Sequence, residues 1–278
     1  MKAVSGIGKV ERKRLAEVIR RTKGTISVAE AASILKIEAT SAAKMLALWA
    51  SKGWLSRVRQ GFYVPVALES RTADVALEDP WVIAGRLYSP CYIGGWSAAE
   101  HWSLTEQIFR TVLVMTTLKP RDRNPVIMGT SFRLRTVSEK AMFGLKPVWR
   151  GQVKVSVSDP TRTIIDMLSE PGLGGGLRPT VDVLLNYLRS DHKNADLLVD
   201  YAARLENGAV FKRLGFLMER LAPDEKGVIS ACLPRITKGN SKLDPALPAD
   251  RLATRWRLWV PSTWAKEGSI DYMMNTRY

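Results

Sequence analysis

Between Lys9 and Val66 three short amphipathic stretches are followed by two strand-like runs, and that order leaves few folds open. Lys9 to Thr22 places Leu15, Val18 and Ile19 at helical spacing, with Arg12, Lys13, Arg14, Arg20 and Arg21 on the other faces. Gly24 stops this helix, and Thr25-Ile26-Ser27 reads as one extended piece. Helical spacing resumes at Val28 and lasts to Lys36. Ser27 stands as its N-cap, and Glu30 three residues later completes a capping box. After a break at Ile37-Glu38, a third helix is predicted from Thr40 to Lys52, with Ala42, Met45, Leu46 and Trp49 inward and Gly53 as its stop. Trp54 to Arg59 and Phe62 to Val66 are strand-like, joined by a Gln60-Gly61 turn.

A helix, a helix-turn-helix pair and a hairpin with arginines near its tip form the winged-helix order. In that geometry the second helix of the pair enters the major groove by its N-terminal residues, here Thr40, Ser41, Ala43 and Lys44. Arg57, Arg59 and Gln60 on the wing are placed for phosphates or the minor groove. Charge points the same way. Residues 1–70 hold 13 Lys and Arg against 5 Asp and Glu, a net of +8 within a total of +15. A cationic excess concentrated in so small a segment attracts polyanions by counterion release, and double-stranded DNA is the expected partner. Winged helices also serve as protein-binding modules, and Arg57 and Arg59 would suit a solvated edge strand equally.

The polar stretch Glu69 to Asp79 suggests a junction near residues 68–78. The expected organisation is a winged helix over 1–70 and a larger domain over 78–278. Asp79-Pro80 opens a helix to Tyr88, and Cys91 to Ile93 is strand-like. Ser97 to Leu104 is a short helix. Thr111 to Thr117, Ser131 to Thr136 and Val153 to Val157 carry β-branched or alternating patterns. Asp159-Pro160 opens another helix, with Ile164, Ile165 and Leu168 inward. After a glycine run at 172–176, expected as a flexible connector, three leucine-rich helical stripes follow. Arg255 to Val260 looks like a last strand. The fold class is mixed α/β of the α+β kind, with a helical C-terminal half.

Catalytic constellations are scarce. The glycine run lacks the Lys-Ser/Thr ending of a phosphate loop and follows a helix. His101 has no second histidine at metal-binding spacing. There is no acid-x-acid pair for two-metal chemistry, and Glu139-Lys140 lacks the intervening residue of a nuclease strand. Neither an enzyme nor a cofactor or metal is expected, and the acids are expected to cap helices and pair with arginines. Two cysteines suit a reducing cytoplasm; neither a secretory leader nor a membrane span is read in the sequence. Lys119, Arg121 and Arg123, together with Lys212 and Arg213, are candidates to extend a basic surface.

The segment Tyr92-Ile93-Gly94-Gly95-Trp96-Ser97-Ala98-Ala99-Glu100-His101-Trp102, with Leu104-Thr105-Glu106-Gln107, resembles the hallmark of the AbiEi family of bacterial antitoxins. Val157 to Asp166 and Phe211 to Phe216 are similar to two further motifs of that family, and the resemblance spans roughly residues 10–260. It implies a type IV antitoxin: a repressor that binds inverted repeats in its own promoter, with two copies cooperating on the DNA. It also implies that a nucleotidyltransferase-like toxin encoded nearby is countered, with direct contact between the two left open. The larger domain is associated with antitoxicity. The other class is a stand-alone winged-helix regulator, or a DNA-processing enzyme that the winged helix targets.

Overall fold

The computed structural model describes Gly6 and residues 8–22, 25–66, 79–127 and 129–265. The chain is mixed α/β and divides into two compact units. The first contains α1 (Lys9–Arg21), β1 (Ile26–Ser27), α2 (Val28–Leu35), α3 (Ala39–Ser51), β2 (Leu55–Arg59) and β3 (Phe62–Pro65). The junction expected at 68–78 lies outside the described residues. Beyond it, α4 (Pro80–Tyr88) and residues 126–130, which include β6 (Val126–Ile127), cluster with this same unit.

Its core gathers Leu15 and Val18 of α1, Ile26 of β1, Ala31 of α2, Ala42, Leu46 and Trp49 of α3, and Leu55 and Tyr63 of the hairpin. Each lies at the helical or alternating spacing that its element imposes, so burying one face fixes all six elements together. The strands pair antiparallel in the order β1-β3-β2. Arg86 of α4 donates to the Thr25 hydroxyl at 2.9 Å. The capping box is present: the Ser27 hydroxyl accepts from Glu30 N at 3.1 Å, and the Glu30 carboxylate accepts from Ser27 N at 2.9 Å. Ser27→Ala is expected to lower stability by about 1 kcal/mol, read from urea unfolding of the full chain; no loss would show that the cap does not hold α2.

The second unit is built on strands β4 (Cys91–Ile93), β5 (Thr111–Thr116), β7 (Thr130–Thr136), β8 (Leu145–Arg150) and β9 (Val153–Ser158). They run in the order β7-β5-β4-β9-β8, with β5–β7 and β4–β9 parallel and β8–β9 antiparallel. β8 is not anticipated by the sequence. Between β4 and β5 lies α5 (Gly95–His101), and α6 (Pro160–Ser169), α7 (Leu177–Arg189), α8 (Ala195–Arg204), α9 (Gly208–Leu221) and α10 (Lys226–Cys232) follow the sheet. A small sheet of β10 (Ser241–Lys242), β11 (Arg251–Ala253) and β12 (Leu258–Val260) precedes α11 (Ser262–Ala265).

α6 is the buried axis of the helical half. Asp159 caps it by accepting from Arg162 N at 2.8 Å, and Pro160 occupies the first turn. Arg162 and Asp166, both buried, form an ion pair at 2.9 Å that the Tyr92 hydroxyl joins. Burial raises the Asp166 carboxyl's pKa, while Arg162 acts in the opposite sense. The motif from Val157 to Asp166 therefore closes a buried network.

The glycine run is not the flexible connector expected. Pro171–Gly174 form a 3-10 turn with Leu173 buried, and a Cβ on Gly174 would sit 2.4 Å from Thr180 Oγ1. Gly175 and Gly176 take φ values of 87° and 111°, which only glycine adopts without strain. Gly174 thus answers to close packing, and Gly175 and Gly176 to their backbone conformation.

Candidate nucleic-acid interface

The turn between α2 and α3 is short because Lys36 takes a left-handed conformation, φ 53°, which closes α2. Glu38 then starts α3 without a side-chain cap. Burial of Ala42, Leu46 and Trp49 orients the helix, and the Trp49 indole N–H donates to Glu11 of α1. The opposite face exposes Thr40, Ser41 and Lys44. Ala43 is half-buried and does not share their exposure. The exposed stripe continues with Ala47 and Leu48, the latter 46% accessible. Sequence reasoning missed these two. Their signal was positional: both lie three to four residues beyond Lys44, and an aliphatic side chain suits a thymine methyl.

The wing is the β2–β3 hairpin. Gly61 at its turn has φ 81°, which favours glycine at that position. Arg57 pairs in register with Tyr63 and Arg59 with Phe62, with a bulge between the two arginines. Simple alternation therefore does not carry from Arg57 to the tip. Arg57 and Gln60 are exposed, while the side chain of Arg59 lies outside the described residues. α3 and the wing are parts of one compact unit, so Thr40, Ser41, Lys44, Arg57 and Gln60 are presented on elements that share one core. The chemistry on offer is two hydroxyls and an amide for hydrogen bonds, and an ammonium and a guanidinium for phosphate oxygens or guanine.

The proposed basic extension divides. Lys119, Arg121 and Arg123 are exposed on the segment that follows β5. Lys212 and Arg213 are not surface residues at all. They are 1% and 5% accessible on α9. Lys212 donates to the Gly239 carbonyl and to Ser241 Oγ, and burial pulls its pKa down. Arg213 donates to the carbonyls of Leu168, Ser169, Lys242 and Leu243. The correction has a plain cause: carbonyl groups left over at the end of α6 and beside β10 need donors, and the two long side chains supply them.

Among the described residues no group of three or more potential ligands could hold a metal ion, and no helix is long and apolar enough to cross a membrane. No curated protein matches the chain. Residues 13–66, from α1 through the wing, match the family model described as a transcriptional regulator, AbiEi antitoxin. The matched stretch begins within α1 and ends at the wing, so the first unit is similar to the antitoxin transcriptional-regulator domain of the AbiEi family.

Proposed function

We propose that this protein is a non-enzymatic antitoxin that represses its own operon by binding inverted repeats in the promoter. The exposed stripe on α3 carries the reading: Thr40, Ser41 and Lys44 are free of core packing, on a helix whose other face is locked by Leu46 and Trp49. α3 enters the major groove and Arg57 meets the backbone, with two copies side by side on the repeats. The larger unit serves the second task, countering a nucleotidyltransferase-like toxin encoded beside it. The family match over residues 13–66 supports the regulatory half of the reading.

Gel shifts with the full chain on its upstream DNA test the first half. Lys44→Ala is expected to weaken operator binding by about 1–3 kcal/mol and to relax specificity at one position. Arg57→Ala is expected to weaken specific and non-specific DNA about equally and to lower the salt slope by about 1. Wild-type binding by both variants would overturn the assignment. Co-expression with the neighbouring gene tests the second half: protection from its toxicity is expected, and no protection would remove the antitoxin role.

A further inference from the structure

Most exposed residues of α3 are small: Ala39, Thr40, Ser41, Ala47 and Ser51. Only Lys44 and Leu48 are both long and exposed. The helix carries no acid, so none of its own side chains repels phosphate. Ser41, Lys44 and Leu48 follow one another at i, i+3 and i+7 and share one stripe, opposite the buried Ala42, Leu46 and Trp49. Met45 and Ala50 pack partly on the core of the unit, whereas Leu48 stands 46% accessible. The Ser51 hydroxyl donates to the Leu48 carbonyl at 2.8 Å, which turns it back on the helix and leaves Leu48 as the last long reader on the stripe.

A lone surface leucine needs no explanation. A leucine in the middle of a surface that sheds its water on DNA is a different matter. In the major groove every base pair presents donors and acceptors, and thymine alone adds an apolar group, its C5-methyl. Pressed against any other base edge, an isobutyl group would strip water from polar atoms without replacing their hydrogen bonds. Leu48 would therefore favour one base and penalise the others, and both effects add to specificity. The small residues around it let the helix backbone come close to the base edges, so that this side chain reaches the floor of the groove.

We infer that Leu48 is a specificity-determining residue that reads the C5-methyl group of a thymine in each operator half-site. Four residues rise roughly 6 Å along a helix and base pairs stack about 3.4 Å apart, so this thymine lies within about two base pairs of the base met by Lys44. The role of Leu48 rests on the operator binding proposed above, since only a helix seated in the major groove brings it to a base.

Gel shifts with the full chain on its upstream duplex, changed one thymidine at a time to deoxyuridine, test this. The replacement removes the methyl group and keeps the base pair. At one thymidine of each half-site wild type should lose about fourfold in affinity, the worth of one buried methyl group. Leu48→Ala should bind the unmodified duplex more weakly and be indifferent to that same replacement. Wild type and Leu48→Ala should bind DNA of unrelated sequence equally. Three results would overturn the role of Leu48 while leaving operator binding intact: no sensitive thymidine in wild type, equal sensitivity in Leu48→Ala, or a loss in Leu48→Ala that is the same on every sequence. A smaller assembled mass of Leu48→Ala in light scattering, without DNA, would also overturn it, by assigning the side chain to contact between two copies. Failure of wild type to prefer its upstream duplex over unrelated DNA would instead remove operator binding itself, and the role of Leu48 with it.

Discussion

Arg213→Ala is expected to lower the stability of the larger unit by about 4 kcal/mol or more, among the largest effects of any single side chain here. The guanidinium serves four backbone carbonyls, two at the last turn of α6 and two beside β10, at 2.8–3.1 Å. Truncation leaves those acceptors buried without a donor, and each unsatisfied group costs about 1–3 kcal/mol. Water entering the space would recover part of this, which places the estimate nearer the low end of the sum. Burial lowers the pKa of the arginine, yet guanidinium stays charged at any pH at which the protein folds. Arg213→Lys should recover only part of the loss, because one ammonium cannot reach both pairs of carbonyls in the planar fork geometry. Urea unfolding followed by far-UV circular dichroism reads the effect. A variant within about 0.5 kcal/mol of wild type would show that the carbonyls find other donors.

Trp96→Ala is expected to cost about 3–5 kcal/mol. Trp96 is 6% accessible, stacks on Phe109 with ring centroids 5.4 Å apart, and donates from its indole N–H to the Thr111 carbonyl at 2.7 Å. Removing it opens a cavity beside Leu113 and Leu173 and leaves a strand-end carbonyl without its donor. The preceding Gly95 explains how the ring arrives there: its φ is 50°, and a Cβ would stand 2.3 Å from the Leu173 carbonyl oxygen. The Gly94-Gly95-Trp96 segment is thus a packing device. Unchanged melting together with lost protection from the toxin would place its work at the surface instead.

What the sequence made legible was local. The Ser27–Glu30 box and the Asp159-Pro160 cap need only residues three or four apart, and both appear as expected. The order from α1 through the wing follows from periodicity, because each element there buries one clean face. β8 was hidden because Leu145-Lys146-Pro147-Val148-Trp149-Arg150 lies at a sheet edge, where exposed residues interrupt the alternation. Lys212 and Arg213 were misplaced because residue type reports a preference for water, whereas here orphan carbonyls from elements far apart in sequence decide. The glycine run was misread for a similar reason: Leu173 within it is buried against Tyr92, Trp96 and Leu113, residues far off in sequence that it meets only after folding.

The membership of α4 in the first compact unit bears on how this protein can be cut and shuffled. A fragment ending at residue 70 would lose Arg86, which bonds Thr25 at the start of β1, along with the buried Trp81, Ile83 and Leu87. Gene fusion that exchanged one DNA reader for another would therefore have to carry the chain through Tyr88 as its heritable block. The exchangeable module is longer than the stretch that the family pattern recognises, 13–66, and chimeras joined after Tyr88 should outlive those joined at Val66 in a protease-resistance screen.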